Sequence, residues 1–312
     1  MSQWTIEGPG RTTVPEEVRA LHVRVIDGSV NVVAAEGPAR LEVTELKGEP
    51  LHVTLVDGVL TVTYKDINSW GEFGDWIKSV GSVRAFFDSF KRKRSVAVTL
   101  TVPAGTEVKV GTVSADATVT GVEGHVSVQS ASGDTTLAGL TGRIDASTVT
   151  GDVDAQAVGG RLKVNSVSGQ LTLIAGTADK VQANTVTGAV TLDLDVAGET
   201  DVKVNTVSGA VVVRIPSLAD ATVEAGSTSG EVSSTFDELK MSSTWGAKKI
   251  SGQLGEGRGS LNVTTVSGAV TVLRRPEPED DAPAVVRELP AAPGSDTPGS
   301  DSPAGPDLTK EA

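Results

Sequence analysis

The sequence predicts an all-β fold: a β-solenoid, β-helix-like repeat rod of about 18–22 residues per coil, behind an irregular N-terminal β region that carries a short helical insert. Three observations carry that prediction. Val supplies 47 and Gly 35 of the 312 residues while the aromatics number ten, and β-branched side chains with frequent turn formers favour strands. A Ser/Thr-Val-Ser/Thr-Gly cluster recurs through residues 106–273. Apolar and polar residues alternate at period two on both sides of each cluster.

Residues 1–105 form the first region. Leu21, Val23 and Val25 run into Asp27-Gly28, with Val30 and Val32 beyond; Leu51, Val53 and Leu55 run into Asp57-Gly58, with Leu60 and Val62 beyond. Asp-Gly between period-two runs predicts a hairpin at both places, because the favoured two-residue turn needs positive φ twice. Val96, Val98, Leu100 and Val102 predict a further strand, which Pro103 ends because it lacks a ladder donor.

Residues 106–273 form the repeat region. The cluster stands at Thr148-Val149-Thr150-Gly151, Ser166-Val167-Ser168-Gly169, Thr185-Val186-Thr187-Gly188, Thr206-Val207-Ser208-Gly209 and Thr265-Val266-Ser267-Gly268, with weaker copies ending at Gly133 and Gly230. Counting Ala115 and Gly252 as anchors too, successive anchors lie 16 to 22 residues apart, the period of a solenoid. A second strand falls within each period, as in Val126-Ser127-Val128, Leu162-Lys163-Val164 and Val202-Lys203-Val204. Val is expected inward and the flanking hydroxyls outward, in nine coils stacked over about 43 Å at a strand spacing of about 4.8 Å. An antiparallel meander is also compatible with the alternation.

Residues 274–312 form the third region, an acidic Pro/Gly/Ser-rich tail holding eight of the 14 prolines. Such a composition buries too little apolar surface to offset its ordering entropy, so a disordered, solubilising tail is expected.

Several polar patterns can be weighed against the demands of the scaffold. Asn165, Asn184 and Asn205 share one register, which predicts an amide ladder from coil to coil. Asp116, Asp134 and Asp152 recur every 18 residues and would stack; such a column can hold a hard cation or act on a glycan, but solvated turn acids are the simpler expectation. Flanking hydroxyls in ladders could bind ice or carbohydrate, although the drifting coil length spoils a regular lattice. Gly226-Ser227-Thr228-Ser229-Gly230 has Thr where a nucleophile elbow needs Ser, and Gly255-Glu256-Gly257-Arg258-Gly259 lacks dinucleotide-loop spacing.

The insert at 66–94 stands apart. Seven of the ten aromatics lie between Tyr64 and Phe90. Written as a helix over 73–92, it aligns Phe73, Trp76, Ile77, Val80, Val83, Phe87 and Phe90 at spacings of three and four, and Lys91-Arg92-Lys93-Arg94 follows. The expected binding residues are therefore Trp70, Phe73, Trp76, Phe86, Phe87, Phe90, Lys91, Arg92, Lys93 and Arg94, as a cap over the first coil or a dock for an anionic membrane or protein partner.

Charge and composition exclude several classes. A net charge of -13 argues against nucleic acid, and the absence of Cys removes disulfides, thiolate nucleophiles and Cys-based zinc sites. His22, His52 and His125 are too scattered to form a metal cluster by spacing, so no cofactor, metal, catalytic residue or small-molecule substrate is expected. The start lacks a basic region followed by an apolar one, and no apolar run approaches the ~20 residues of a membrane span. A cytoplasmic protein is expected, with contact at the inner face of the membrane as its furthest reach.

The Ser/Thr-Val-Ser/Thr-Gly-Ala-Val runs at 185–190 and 265–270, behind the hairpin-rich start, resemble the bacterial putative-adhesin β-strand-repeat family, also called toastrack. The resemblance covers roughly residues 10–273 and implies a β-solenoid-like fold, usually encoded or fused near components of phage-shock and Lia-type envelope-stress systems. Its motif is one of packing and brings no catalytic residues. The expected function is a non-enzymatic scaffold or sensor in the bacterial cell-envelope stress response. The alternatives are a surface adhesin-like binding protein and a glycan-active β-helix enzyme.

Overall fold

Most strands alternate buried apolar and more exposed polar residues, so each has one face to bury, and the chain buries these faces by sending successive strands into two facing sheets. The computed structural model describes residues 2–65, 94–195, 199–216, 219–244 and 246–275. One compact unit runs Met1–Glu277. The second, Pro278–Ala312, lies outside the described residues, as does the tail expectation from 276 onward. The helix expected over 73–92 also lies outside them; every described regular element is a strand.

The chain opens with β1 (Ser2–Ile6), β2 (Gly10–Thr13), β3 (Ala20–Val25), β4 (Gly28–Ala34), β5 (Arg40–Lys47), β6 (Leu51–Val56), β7 (Val59–Thr63) and β8 (Ser95–Val102). Asp57-Gly58 makes the expected hairpin: Asp57 and Gly58 have φ of 50° and 76°, and β6 pairs antiparallel with β7. Asp27-Gly28 does not. It is a corner that carries the chain from β3 in a front sheet to β4 in a back sheet, where β3 pairs in parallel with β7 and β4 with β8.

The repeats follow as β9 (Glu107–Thr112), β10 (Asp116–Thr120), β11 (Glu123–Ser130), β12 (Thr135–Ala138), β13 (Thr141–Thr148), β14 (Val153–Gln156), β15 (Gly159–Ser168), β16 (Leu171–Thr187), β17 (Val190–Leu194), β18 (Asp201–Ser208) and β19 (Val211–Ile215). Front strands stack in parallel along the column Val108, Val126, Ile144, Leu162, Val181 and Val202, and back strands along Ala117, Thr135, Val153, Leu171, Val190 and Val211. This parallel pairing rules out the meander. The inward Val, Leu and Ile are almost fully buried, each side chain stabilising the stack by about 1.5–3 kcal/mol.

The chain ends with β20 (Ala221–Ser227), β21 (Val232–Ser234), β22 (Lys240–Thr244), β23 (Ala247–Leu254), β24 (Gly259–Thr265) and β25 (Val270–Arg274). Chain order and spatial order diverge at both ends. The β24–β25 coil sits between β18–β19 and β20–β21, and the β3–β4 coil sits between β7–β8 and β9–β10. Residues 1–105 and 106–273 therefore share one stack. Ten parallel tiers are present among the described residues, eight of them from the repeat region rather than nine, because Gly252 falls in β23, antiparallel to β20.

Antiparallel strands close both ends, which a parallel stack needs to protect its edges. At one end β6 and β1 extend the front sheet while β5 and β2 extend the back sheet. At the other, β23 and the exposed β22 add a front hairpin, and Phe236, Leu239, Ile250 and Leu254 join the core beneath it.

Candidate interaction surfaces

The recurring cluster forms the front-to-back corner of each coil, where its four positions do different work. In Thr148-Val149-Thr150-Gly151 the first hydroxyl is buried, and Thr148 Oγ1 accepts the Gly151 N–H at 3.0 Å. The second reaches the preceding coil: Thr150 Oγ1 donates to Ala131 O at 3.2 Å. Ser132, Thr187, Ser229 and Ser267 make the same kind of bond to Val113, Val167, Val266 and Val207 carbonyls. The glycines stack so closely that a Cβ on Gly188 would lie 2.0 Å from Gly169 O.

One expectation is reversed here. The Val of the cluster points outward, with Val167, Val186, Val207 and Val266 38–49% exposed, while the preceding Ser or Thr is buried. The inward positions of β16 are Val181, Ala183 and then Thr185, so strict alternation sends Val186 to the outside. Val113 and Ala131, in the earliest corners, stay buried.

The Asp and Asn columns are built into the stack. Asp134 N–H donates to Asp116 Oδ1 at 3.0 Å, Asp152 N–H to Asp134 Oδ1 at 2.9 Å and Gln170 N–H to Asp152 Oδ1 at 2.7 Å. Each carboxylate thus holds the backbone one coil further on, the job of a turn acid. Asn184 Nδ2 donates to Asn165 Oδ1 at 3.0 Å and Asn205 Nδ2 to Asn184 Oδ1 at 2.9 Å, the expected ladder. Among the described residues no group of three or more His, Asp or Glu could hold a metal ion, and no helix is long and apolar enough to cross a membrane.

Of the residues expected to bind a membrane or partner, Trp70, Phe73, Trp76, Phe86, Phe87, Phe90, Lys91, Arg92 and Lys93 lie outside the described residues. Arg94 is described, and it is part of the frame. It is 5% exposed, its Nη2 lies 2.7 Å from Glu49 Oε1, and its guanidinium sits 5.5 Å from the ring centre of the fully buried Tyr64. The insert therefore leaves from Tyr64 and returns at Arg94, at the corner between β7 and β8 that corresponds to Asp27-Gly28 in the next tier.

The outer face of the front sheet carries charges that sequence reading passed over, because they emerge only when coils are stacked in register. Arg143 stands opposite Arg161, and Arg161 opposite Lys180; Lys163 stands opposite Gln182, and Gln182 opposite Lys203. Nearer the start of the stack the face is neutralised. Lys109 Nζ lies 2.7 Å from Glu107 Oε1 and holds that carboxyl below its usual range, while His125 bridges Glu107 and Asp145 at 3.4 and 3.3 Å. At the far end Asp220 takes the Arg258 backbone N–H at 3.0 Å and its guanidinium at 2.6 Å, which together lower its pKa.

A two-sheet parallel stack whose turn hydroxyls and acids are largely spent on holding neighbouring coils defines a repeat scaffold. The chain belongs to the family described as Toastrack DUF4097, whose model matches residues 20–273. A comparison with curated proteins finds no match. Among solved structures, the chain is similar to a putative cell adhesion protein from Clostridium sporogenes (12% identity, TM-score 0.26, 86% of this chain and 100% of that one). It is similar to a putative adhesin from Parabacteroides merdae (12%, 0.39, 88% and 96%). A third likeness is to a putative lipid binding protein from Parabacteroides distasonis (9%, 0.38, 86% and 98%). With TM-scores below 0.5, these likenesses carry no functional conclusion for this chain.

Proposed function

We propose that this toastrack protein is a non-enzymatic scaffold or sensor of the bacterial cell-envelope stress response. Its insert docks to an anionic membrane surface, or to a protein partner there, from the cytoplasmic side. The observation that supports this reading is the anchoring of the insert. Tyr64 and Arg94 are buried against each other and Arg94 is paired with Glu49, so the intervening residues depart from a rigid corner. That segment concentrates six aromatics and the cations Lys91, Arg92 and Lys93 in a chain otherwise poor in rings. Apolar rings beside basic residues suit the headgroup layer, where each cation contributes about 1 kcal/mol.

The test is sedimentation of the purified chain with phosphatidylglycerol vesicles at low salt. Wild type is expected to pellet with the vesicles. Lys91→Ser, Arg92→Ser and Lys93→Ser together should abolish this while leaving the melting temperature unchanged, because Arg94 is kept. Failure of wild type to pellet, or equal pelleting of the triple variant, would reject electrostatic docking to a membrane.

A further inference from the structure

On the outer face of the front sheet, three consecutive coils share an Asn row and a Val row, with cations in one or both of the two outward positions before the Asn. β15 presents Arg161, Lys163, Asn165 and Val167; β16 presents Lys180, Gln182, Asn184 and Val186; β18 presents Asp201, Lys203, Asn205 and Val207. Arg161, Lys163, Lys180 and Lys203 make no ion pair among the described residues. Of the acids at the margin, Asp145 lies in the same groove and accepts from Arg143 Nε at 2.8 Å, while Asp201 accepts from Ser260 Oγ at 2.8 Å.

This arrangement is unfavourable to the fold itself. Like charges directly opposite one another across strands destabilise a sheet, and the column Arg143, Arg161, Lys180 places three cations side by side, relieved only by Asp145 paired with Arg143 and by Asp201 opposite Lys180. A chain with 40 acidic against 27 basic residues has acids to spare for neutralising them. Yet the carboxylate in the groove, Asp145, is engaged by Arg143, and the long side chains of Arg161, Lys163 and Lys180 complete a surface groove of about 320 Å³.

The Asn ladder beside the cations narrows the chemistry of what fits. A primary amide has two N–H donors and two acceptor lone pairs, and the ladder uses one of each at Asn184. The remaining donor and acceptor suit a hydroxyl, which both gives and takes a hydrogen bond, better than a carboxylate or phosphate, which only accepts. A single small anion would need converging donors, whereas this face repeats its donors at the strand spacing of about 4.8 Å. The face carries no aromatic ring among its described residues, and its exposed Val residues lie at the corner, so it lacks the apolar area for burial in a membrane.

We infer that the outer face of β15, β16 and β18 binds a linear acidic polysaccharide, with its carboxylates on Arg161, Lys163, Lys180 and Lys203 and its hydroxyls on Asn165, Asn184 and Asn205. The inference is independent of the 66–94 insert and stands or falls separately from membrane docking. It is tested with the full chain by affinity electrophoresis in gels containing polygalacturonate, polyglutamate or neutral dextran. Polygalacturonate should retard the protein, polyglutamate should do so about ten-fold less effectively, and dextran should have no effect. Arg161→Ser with Lys180→Ser should weaken polygalacturonate binding roughly ten-fold or more, because each replaces a charge-assisted contact. Lys163→Ser with Lys203→Ser should do the same. All four side chains are on the solvent side of the strands, and a melting temperature at or above that of wild type will show that the fold is kept. No retardation by polygalacturonate, or retardation unchanged in both double variants, would overturn the inference. So would equal binding of polyglutamate, or of phosphatidylglycerol vesicles, through the same four cations, since either would reassign the face to an acidic peptide or a membrane.

Discussion

Gly188 offers the most direct test of how the stack is held, because two separate costs of adding a methyl group coincide there. Its φ is +141°, and a Cβ would lie 2.0 Å from Gly169 O and 2.9 Å from Gly169 C, both backbone atoms that cannot swing aside. Gly37 has a φ of +100° with nothing within 4 Å of its Cβ position, and Gly105 has open space with no positive φ. Gly105→Ala is thus expected to be near neutral. Gly37→Ala should cost about 1–2 kcal/mol, the strain of a side chain in the left-handed region. Gly188→Ala adds to that strain an overpacking cost of about 1–3 kcal/mol, for a total near 4 kcal/mol. In a unit of this size about 1 kcal/mol shifts the melting temperature by roughly 2–4 °C, so Gly188→Ala should melt roughly 8–16 °C below wild type. Differential scanning calorimetry of the three variants at one pH and salt makes the comparison. If Gly188→Ala melts no lower than Gly37→Ala, close glycine stacking is not what fixes the corner, and the reasoning fails.

Further outcomes can be read on the same instrument. Asn184→Ala removes two ladder bonds and Asn205→Ala one, so the expected losses are about 1–3 and about 0.5–1.5 kcal/mol, and equal losses would show that the ladder contributes nothing. The buried Thr185 Oγ1 makes no hydrogen bond whereas Thr148 Oγ1 accepts from Gly151, so Thr185→Val should raise the melting temperature and Thr148→Val should lower it. Arg94→Ser removes the buried guanidinium that pairs with Glu49 and lies against the Tyr64 ring, and should lower the melting temperature. The Arg258 backbone N–H and guanidinium depress the Asp220 pKa. Its contribution is therefore present above the unfolded Asp value of about 3.9 and is lost as pH falls through the lower folded value. Asp220→Asn should be less stable than wild type at pH 7, with the gap closing progressively below about pH 4, and a gap that stays constant down to pH 2 would refute the assignment.

What the sequence made legible was whatever depends on near neighbours in the chain. Period-two alternation located the strands and the inward residues within them, though not the outward Val of the corner cluster, and the Asn register foretold contacts such as Asn184 to Asn165. What it concealed depends on partners far away in the chain. Asp57-Gly58 and Asp27-Gly28 are the same dipeptide between similar runs, yet the first closes a hairpin and the second turns a corner. The difference comes from the packed neighbour: a Cβ on Gly28 would meet Val96 O at 2.1 Å, and Val96 N–H donates to Asp27 O at 2.9 Å, so the corner is shaped by a strand some 70 residues later. The insertion of β24–β25 between β18–β19 and β20–β21 is hidden for the same reason, since the spacing of anchors along the chain carries no record of which coil lies beside which.

The candidate surface was obscured by a subtler effect, one that a single tetrapeptide illustrates. Thr148-Val149-Thr150-Gly151 and Thr185-Val186-Thr187-Gly188 are identical in sequence and close their corners differently. In the first, Gly151 returns its N–H to Thr148 Oγ1 at 3.0 Å and has no positive φ. In the second, Gly188 has a φ of +141°, its N–H goes to Ser208 O of the next coil at 3.2 Å, and Thr185 Oγ1 is left buried without a partner. Gly169 behaves like Gly188, with a φ of +144° and its N–H on Thr187 O. The strands β15, β16 and β18 therefore run on through the corner as far as Ser168, Thr187 and Ser208, and they are the strands that carry the unpaired cations and the Asn ladder. After β15 and β16 the corner gives up a local hydrogen bond and gains an inter-coil one. The longer strands hold Asn and Val in matching rows beside the cations Arg161, Lys163, Lys180 and Lys203, an alignment that follows from the hydrogen bonding between coils and that the tetrapeptide alone does not encode.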